Sequence, residues 1–384
     1  MSTNSVNLDS MTIWIFRKRL HTNQLPLIET LKRKGCVVRF FVAPGRSRNQ
    51  GDVVERLPAS LFLSKLSKII SLLFQDRTFS KFPAPSPVAL CRRIRSDRPD
   101  LIVVYKGRID TFVVSFVAYL MRIPIFYNAQ MPVDSLNCCW RDKLATFLKL
   151  LPKIKCGWIR PARAVKRKNH FVLLPPMPPN PVGARSQEKS WGGTGCGCIK
   201  IVSVGKFHAE RKRHDLLLHA VARLQEVFDV EVTFYGSGDA VGVRKLREKS
   251  IELGIEHKVK ICPSVPHAAL MAAYIEYDLF VIPSSDEPYS ISILEAMASG
   301  LPVMCSDTNQ AKDCIESGVN GLVFKSGDDR DLEKCIATII SDRGKMRSMG
   351  VNSLKIVNKC HHPDVWYAQF CCIARAAGSK CFSS

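Results

Sequence analysis

Two glutamates in the second half of the sequence have a spacing that could hold a ligand. Glu287 and Glu295 are eight positions apart and follow the apolar run 279–283, which is typical of a buried parallel strand. This order predicts Glu287 in a loop and Glu295 in the first turn of the next helix. Because carboxylates accept hydrogen bonds from hydroxyl groups, one acid could bind a sugar and the other a ribose.

Backbone donors lie between the two acids. Ser290, Ile291 and Ser292 fall at the predicted helix start, where unpaired N–H groups and the helix dipole favour an anion such as phosphate. An alternative interpretation is that residues 292–295 form only a capping box, with Gly300 ending the helix. The spacing by itself leaves both interpretations open.

The sequence of this segment resembles a family signature. Glu287, Glu295 and the following Ala-Met-Ala-Ser-Gly-Leu-Pro-Val are similar to the E-x7-E region of retaining glycosyltransferases with the GT-B fold, which use nucleotide-sugar donors. Upstream, residues 201–207 and 211–218 resemble the strand of that family, its glycine turn and the lysine that opens the next helix. The resemblance runs from about residue 199 to residue 340.

The resemblance implies roles for four side chains. Glu287 would hold hydroxyl groups of the donor sugar and stabilise developing positive charge, and Glu295 would bind the ribose diol. Lys206 and Lys212 would neutralise the pyrophosphate that leaves. Lys206 stands where the family usually has arginine, so it keeps the charge but loses two-point geometry. Transfer with retention is implied by the family alone.

The remaining donor-side candidates follow predicted strand ends or begin a helix, where ligands of open parallel sheets bind. They are Gly205, Gly236, Gly238, Ser264, Val265, Ser290, Ile291 and Ser292. The turn 236–242 also resembles the dinucleotide-binding fingerprint G-x-G-x-x-G, but its third glycine comes one residue later than in that pattern. An NAD-linked oxidoreductase is therefore a lesser alternative. We expect helix-cap or surface roles for His208, His214 and His267.

The first half departs from the family at one position. The family commonly has a histidine after the strand corresponding to 123–128, and here the nearest polar residue is Gln130. This difference leaves open a catalytically silent relative that binds nucleotide-sugar or acts as a partner subunit. Gln130, Lys106 and Arg108 are the acceptor-side candidates, and the two cations favour a phosphate or carboxylate on the acceptor.

Strand-like and helix-like segments alternate in two series, which predicts an α/β protein of two Rossmann-like domains. The resemblance implies that their parallel sheets face each other across a cleft. The predicted strands are 11–16, 36–42, 101–105, 123–128, 200–204, 230–235, 259–262, 279–283, 302–306 and 322–324, and the predicted helices include 25–34 and 111–121.

Prolines at 175–181 and a glycine-rich stretch at 186–197 mark the boundary between the domains. We predict an acceptor-side domain at 1–185, a linker at 186–198 and a nucleotide-sugar-binding domain at 199–362. A final helix within 363–384, from 363 to about 377, would cross back to the first domain.

Positive charge is concentrated in the first half. The chain has 384 residues and a net charge of +22; before Lys200 there are 33 Lys plus Arg against 11 Asp plus Glu, and from Lys200 onward 23 against 23. Such a field favours an anionic partner: a membrane surface, a phosphorylated acceptor or nucleic acid. Nucleic acid is the least favoured because no recognition motif for it is present. A generally basic proteome would give the same excess.

The apolar pattern predicts a cytoplasmic protein, since no run is long enough to span a bilayer and the start lacks a signal peptide. Segment 57–74 is amphipathic if helical, and 144–155 is a second basic and apolar segment that runs into 160–168. Both fit peripheral binding to the cytoplasmic face of a membrane, and ordinary core helices give the same pattern.

Cofactors and metals are not expected. The 15 cysteines are scattered without the two-residue spacer of zinc sites. The only Asp-x-Asp, at 329–331, is expected at a helix cap. The sequence thus predicts a nucleotide-sugar donor as co-substrate and lysines, rather than a metal ion, opposite its phosphates.

Overall fold

The computed structural model divides the chain into two compact units, residues 1–176 with 363–384 and residues 177–362. The described residues are 11–17, 24–42, 54–60, 62–63, 65, 85–105, 109–129, 154–158, 170–173, 175–177, 180, 197–207, 210–238, 240–263, 265–287 and 289–377. Lys106, Arg108, Gln130 and Ser264 lie outside them, as does most of the two amphipathic segments.

The first unit is built on a parallel sheet of order β3-β2-β1-β4-β5-β6-β7. Its strands are β1 (Thr12–Arg17), β2 (Val37–Val42), β3 (Val54–Arg56), β4 (Leu101–Tyr105), β5 (Ile125–Ala129), β6 (Ile154–Trp158) and β7 (His170–Val172). Its helices include α1 (Leu25–Arg33), α2 (Pro87–Asp97) and α3 (Ile109–Leu120). Side chains of β1 alternate between two cores: Ile13 and Ile15 enter the one beside α1, and Trp14 enters the one beside α2 and α3.

The second unit has a parallel sheet of order β10-β9-β8-β11-β12-β13. Its strands are β8 (Ile199–Val204), β9 (Val230–Gly236), β10 (Val259–Pro263), β11 (Leu279–Ile282), β12 (Val303–Ser306) and β13 (Gly321–Phe324). Its helices include α4 (His214–Leu224), α5 (Ala240–Glu252), α6 (His267–Ala273), α7 (Ile291–Ala298), α8 (Asp329–Ile340) and α9 (Arg343–His361). Apolar cores cover both faces, as the continuous hydrophobic strands require.

The strands at the ten predicted ranges and the helices predicted at 25–34, 111–121 and 363–377 occur in the structure, with ends shifted by at most two residues. Three short strands were not predicted: β3, β6 and β7. Of the basic and apolar segment 144–155, for which a helix was one interpretation, the last two residues open β6, which pairs with β5 from Ile154 to Trp158. These residues form a strand because they pair with a neighbouring strand, and the local residue pattern does not indicate that neighbour.

Residues near the predicted linker pack on the second unit. The Met177 amide donates to the His361 carbonyl oxygen at 2.8 Å. The Asn180 side chain donates at 2.8 Å to both the Met271 carbonyl oxygen and Ser299 Oγ. These contacts lie upstream of residue 185, where the sequence predicts the end of the first domain.

The last helix, α10 (Pro363–Ala376), packs on the first unit. Trp366 and Phe370 are buried, their rings stack at 5.1 Å, and Phe370 meets Phe126 of β5 edge to face at 6.3 Å. The chain end therefore supplies part of the apolar cover over the sheet of residues 11–172.

Truncation of Trp366 tests this packing. We expect Trp366→Ala to lower the free energy of unfolding of the first unit by about 3–5 kcal/mol, because a large buried ring is lost and leaves a cavity. Urea denaturation followed by circular dichroism measures the change. Cys372→Ala on an exposed site of α10 is the matched control and should have little effect; equal losses in both variants would contradict the packing role.

Candidate functional site

Glu287 forms a buried ionic cluster with two consecutive cations. Its Oε2 accepts from Lys212 Nζ at 2.6 Å and from Arg211 Nη1 at 2.9 Å. Glu287 and Lys212 are both buried, whereas the Arg211 side chain is half exposed. The cluster joins the segment after β8 to the loop after β11, two strands that are neighbours in the sheet. Parallel neighbours end at the same edge, so their loops meet there.

Backbone strain lies beside this cluster. Arg213 and Asp286 have positive φ values of 47° and 51°, a region that non-glycine residues seldom occupy. Each is the chain neighbour of one cluster residue, Lys212 or Glu287. Strained backbone persists only where surrounding contacts enforce it, and it collects at ligand sites.

Main-chain hydrogen bonds fix the same two segments. The Ser285 amide donates to the Arg211 carbonyl oxygen at 2.8 Å, and the Gln310 amide donates to the Glu287 carbonyl oxygen at 3.0 Å. Glu287 is therefore held at both its backbone and its side chain.

The two predicted phosphate-binding lysines differ in environment. Lys212 is buried and is the last residue of a short 3-10 turn, Glu210–Lys212, just before α4, whereas Lys206 is exposed after β8. For either lysine taken alone, a solvent-exposed charge is the alternative to a phosphate-binding role; the structure exposes Lys206 and buries Lys212. A buried ammonium group is kept in place by Glu287, while Lys206 keeps a hydrated, mobile charge.

The predicted glycines allow close backbone approach. A Cβ on Gly236 would lie 1.8 Å from the Gly205 carbonyl oxygen, and one on Gly238 would lie 2.8 Å from Phe207 Cβ. The turns after β8 and β9 therefore pack directly against each other. Val265 is half-buried on the apolar core beside α7.

Glu295 is held by two side chains that the sequence did not indicate. Its Oε1 lies 2.8 Å from His267 Nε2, and its Oε2 accepts from the Tyr274 hydroxyl at 3.2 Å. His267 begins α6, and Tyr274 follows that helix. The expected surface or cap role for His267 is therefore too simple. Its partner is 28 positions away, so no local pattern could have paired them.

The start of α7 corrects two expectations. The helix begins at Ile291, so Glu295 lies in the second turn rather than the first. The capping box predicted as an alternative at 292–295 is wrong, since Glu295 bonds to His267 and Tyr274 and the helix is capped at Ser290, whereas Gly300 does end the helix, with a φ of 78°. Ser290 Oγ instead lies 2.9 Å from Ser292 Oγ, at the helix start where an anion is favoured.

His214 is buried at the start of α4, next to the glycine turn. A Cβ on Gly205 would lie 3.1 Å from two atoms of its ring, which also meets Phe207 and Phe234 edge to face. Burial lowers the pKa of His214 to about 4, and nearby Lys212 adds to this change. Within the described part of the chain, neither ring nitrogen has a hydrogen-bond partner. The residue supports the turn as a neutral ring, not as an exposed cap.

The first unit carries a polar layer at the carboxyl edge of its sheet, which we call the Arg17 layer: Arg17, Gln24, Tyr105 and Asn128. The Arg17 guanidinium lies 4.6 Å from the centroid of the Tyr105 ring, and Tyr105 pairs with Asn128 in the strand register. Burial raises the pKa of Tyr105, while Arg17 and hydrogen bonds from Gln24 and Asn128 oppose this change. Among the described residues, none donates to Asn128 Oδ1.

Residues 197–355 match the family model described as glycosyl transferases group 1. The D-inositol 3-phosphate glycosyltransferase of Nocardia farcinica is 28% identical over 178 residues, covering 45% of this chain and 39% of that protein. An uncharacterized glycosyltransferase of Methanocaldococcus jannaschii is 31% identical over 155 residues, covering 40% and 39%. This chain thus spans about two fifths of the length of the curated relatives that it matches.

Solved structures extend the likeness to nearly the whole chain. HepE from Anabaena, solved with UDP and glucose, has a TM-score of 0.68 at 20% identity and covers 94% of this chain and 98% of its own. Sucrose-phosphate synthase from Thermosynechococcus elongatus has a TM-score of 0.69 at 15% identity and covers 95% and 98%. These likenesses define a GT-B fold of two parallel-sheet α/β domains. The predicted fold is therefore confirmed, and the match of residues 197–355 to glycosyl transferases group 1 supports the predicted family.

The buried imidazole of His214 gives a prediction about acid stability. Its pKa is about 4 in the folded chain and about 6.5 when unfolded, so only the unfolded state gains a proton as pH falls from 6.5 to 4. We expect a loss of about 3 kcal/mol in the free energy of unfolding of the second unit over this range. Urea denaturation between pH 7 and pH 4 measures it.

His214→Leu should lose less stability over that pH range than the unsubstituted protein, because leucine does not titrate. His257→Leu, at an exposed position of the same unit, is the control and should keep the unsubstituted slope. Parallel slopes in the unsubstituted protein and His214→Leu would show that this imidazole is not the group responsible.

Proposed function

We propose that the protein is a retaining, metal-independent glycosyltransferase that moves a hexosyl group from a nucleoside-diphosphate sugar to an anionic or lipid-linked acceptor. The observation that carries this proposal is the buried cluster of Glu287 with Lys212 and Arg211 at the carboxyl edge of a parallel sheet. Carboxylate and cations there match the opposite charges that develop on a sugar and on its leaving pyrophosphate.

The chemistry divides between these groups. As the bond between the anomeric carbon and the phosphate oxygen breaks, Lys212 and Arg211 stabilise the negative charge gained by the pyrophosphate. Glu287 faces the positive charge that develops on the sugar. The acceptor oxygen bonds to the anomeric carbon on the same face, and its proton passes to the leaving phosphate. Atoms and charge balance without a further reactant.

Uridine diphosphate is the first nucleotide to test, because the HepE structures that resemble this chain hold UDP, UDP-glucose, or UDP and glucose. The backbone N–H groups at the start of α7 would bind the diphosphate, and Glu295 would bind the ribose diol. Gly205, Gly236 and Gly238 would let the chain approach the nucleotide closely.

We place the acceptor at the Arg17 layer of the first unit. This layer combines a guanidinium group with amide and hydroxyl groups at a sheet edge, which suits an acceptor with phosphate and hydroxyl groups. The name of the Nocardia farcinica relative states a phosphorylated acceptor, D-inositol 3-phosphate, and the net charge of +22 before Lys200 is in keeping with an anion. Lys106, Arg108 and Gln130 remain acceptor-side predictions.

We also propose a cytoplasmic location with peripheral contact to an anionic membrane, supported by the basic first half of the sequence. In the described residues, no helix is both long and apolar enough to cross a bilayer. Salt-sensitive sedimentation of the protein with anionic but not neutral vesicles tests the contact.

A thermal-shift panel of nucleoside diphosphates and their sugars, run beside a transfer assay, tests the central proposal. A nucleotide at one hundred times its dissociation constant should add about 2.7 kcal/mol of stability. Binding with transfer supports the enzyme, and binding without transfer to any tested acceptor supports the silent relative that Gln130 leaves open. No binding of any nucleotide would contradict the proposed function.

Lys212 and Lys206 should differ in their effect on transfer. We expect Lys212→Ala to reduce kcat about 100- to 1,000-fold, because a buried, fixed cation contributes most in a site shielded from water. Lys206→Ala should have a smaller effect, and Lys260→Ala on β10 serves as an exposed control. Steady-state kinetics with UDP-glucose, or with the donor found in the panel, gives the comparison. A greater loss for Lys206→Ala would reverse the assignment.

The acids need conservative variants. Alanine at Glu287 or Glu295 would leave buried partners unpaired and cost stability, so glutamine at each position is the cleaner test. We expect each glutamine variant to fold and to lose most of its transfer activity, as circular dichroism and the transfer assay would report. Full activity in both variants would refute the site.

Metal independence is tested by chelation. Transfer should persist in excess EDTA, because Lys212 and Arg211 supply the cationic charge opposite the pyrophosphate. Loss of transfer that magnesium or manganese restores would contradict this part of the proposal.

A further inference from the structure

Two hydrogen-bond donors contact Glu295, and they differ in burial and in titration. Tyr274 is fully buried and donates to Oε2, whereas His267 has a side chain 46% exposed and lies 2.8 Å from Oε1. The two donors come from the start of α6 and from the turn that follows it. The carboxylate is thus fixed in a plane by two points of contact, one at each oxygen.

Only one of the two donors titrates near neutral pH. Burial, with the charge of Glu295, raises the pKa of Tyr274 well above its usual 10, so its hydroxyl keeps its proton. The hydrogen bond to Glu295 raises the pKa of His267 above 6.5, against a smaller opposing effect of burial. Glu295 and Tyr274 are the titratable groups in the described contacts of this cluster.

The two contacts use only part of the hydrogen-bonding capacity of the Glu295 carboxylate. An ionised carboxylate has about four lone-pair positions, and His267 and Tyr274 occupy two of them. The remaining two can accept from two adjacent hydroxyl groups only if the carboxylate plane is correctly turned. A donor on the exposed side of Glu295 that fixes this plane would therefore affect nucleotide affinity without touching the reacting atoms.

We propose that His267 is a positioning residue for nucleotide recognition: by holding Glu295 it orients the carboxylate that binds the two ribose hydroxyls. This inference rests on the proposed function, in which Glu295 binds the ribose. It assigns a role to a residue outside the two acids and the lysines. If it is correct, His267 affects binding of the ribose of the donor and not binding of the diphosphate.

The direction in which nucleotide affinity changes with pH follows from the charge that His267 loses as pH rises. Below pH 6.5 His267 is charged and the ion pair with Glu295 is complete; as pH rises through the raised pKa of His267, the charge is lost and the carboxylate is held less firmly. Affinity for a ribonucleoside diphosphate should fall with rising pH across this range. The rate constant of the chemical step should change little.

The experiment compares three variants of the full chain by calorimetric titration. His267→Ala removes the donor, His267→Gln keeps an N–H group that does not titrate, and His257→Ala removes an exposed histidine elsewhere in the second unit. The probes are UDP, 2′-deoxy-UDP, which lacks one of the two hydroxyls, and inorganic pyrophosphate, which has no ribose. ADP, GDP and CDP replace UDP if the chain selects another base.

We expect His267→Ala to weaken UDP binding about tenfold, in keeping with the loss of one charged hydrogen bond. Its preference for UDP over 2′-deoxy-UDP should shrink, and its affinity for pyrophosphate should stay unchanged. His267→Gln should bind UDP better than the alanine variant and show a flat pH profile. His257→Ala should match the unsubstituted protein.

The outcomes separate this inference from the proposed function. If the unsubstituted protein binds no ribonucleoside diphosphate, the proposed function fails, and the inference fails with it. If it binds UDP and His267→Ala binds equally well, only the positioning role is overturned. An equal loss for UDP and pyrophosphate would also overturn it, because a merely structural defect would weaken both.

Discussion

The buried ionic cluster of Glu287 with Lys212 and Arg211 is the constraint on which the rest of the donor-side architecture depends. Removing charges from water is costly, and the cost is offset only when opposite charges meet in good geometry. Lys212 and Glu287 are 75 positions apart, so their loops must be fixed relative to each other with little tolerance. The neighbouring strands β8 and β11 provide this fixed frame.

Strain and close packing follow from the same requirement. Arg213 and Asp286 have positive φ values, and each is the chain neighbour of one member of the pair. Gly205 and Gly236 lack side chains where two strand-end turns meet, and the neutral ring of His214 fills the space behind them. Each feature costs stability locally, which a rigid parallel sheet with two apolar cores can sustain.

Glu295, like Glu287, is a carboxylate fixed by partners from a distant segment, but with less charge around it. It is held by neutral Tyr274 and by titratable His267, so its position is fixed by hydrogen bonds and by a charge that pH can remove. In the first unit, the Arg17 layer likewise places polar groups at the carboxyl edge of the sheet. Both units thus keep apolar side chains within the sheet and polar side chains at the edge where ligands of such folds bind.

The sequence by itself determined the α/β order of both units, the ends of the strands and helices whose bounds it gave to within two residues, and the resemblance of residues 199–340 to a glycosyltransferase family. These features depend on runs and periodicities within short segments, which the chain carries locally. Glu287, Glu295 and Lys212 could be singled out for the same reason, since each lies in a contiguous pattern beside a strand or helix end.

Only the tertiary structure decided which side chains meet these residues. Arg211 and Lys212 on one oxygen of Glu287, and His267 and Tyr274 on Glu295, are contacts between segments far apart in the chain. It also decided that Lys212 is buried and that residues 154–155 begin a strand. Such outcomes depend on which strands become neighbours in a sheet, and local sequence patterns do not encode that choice.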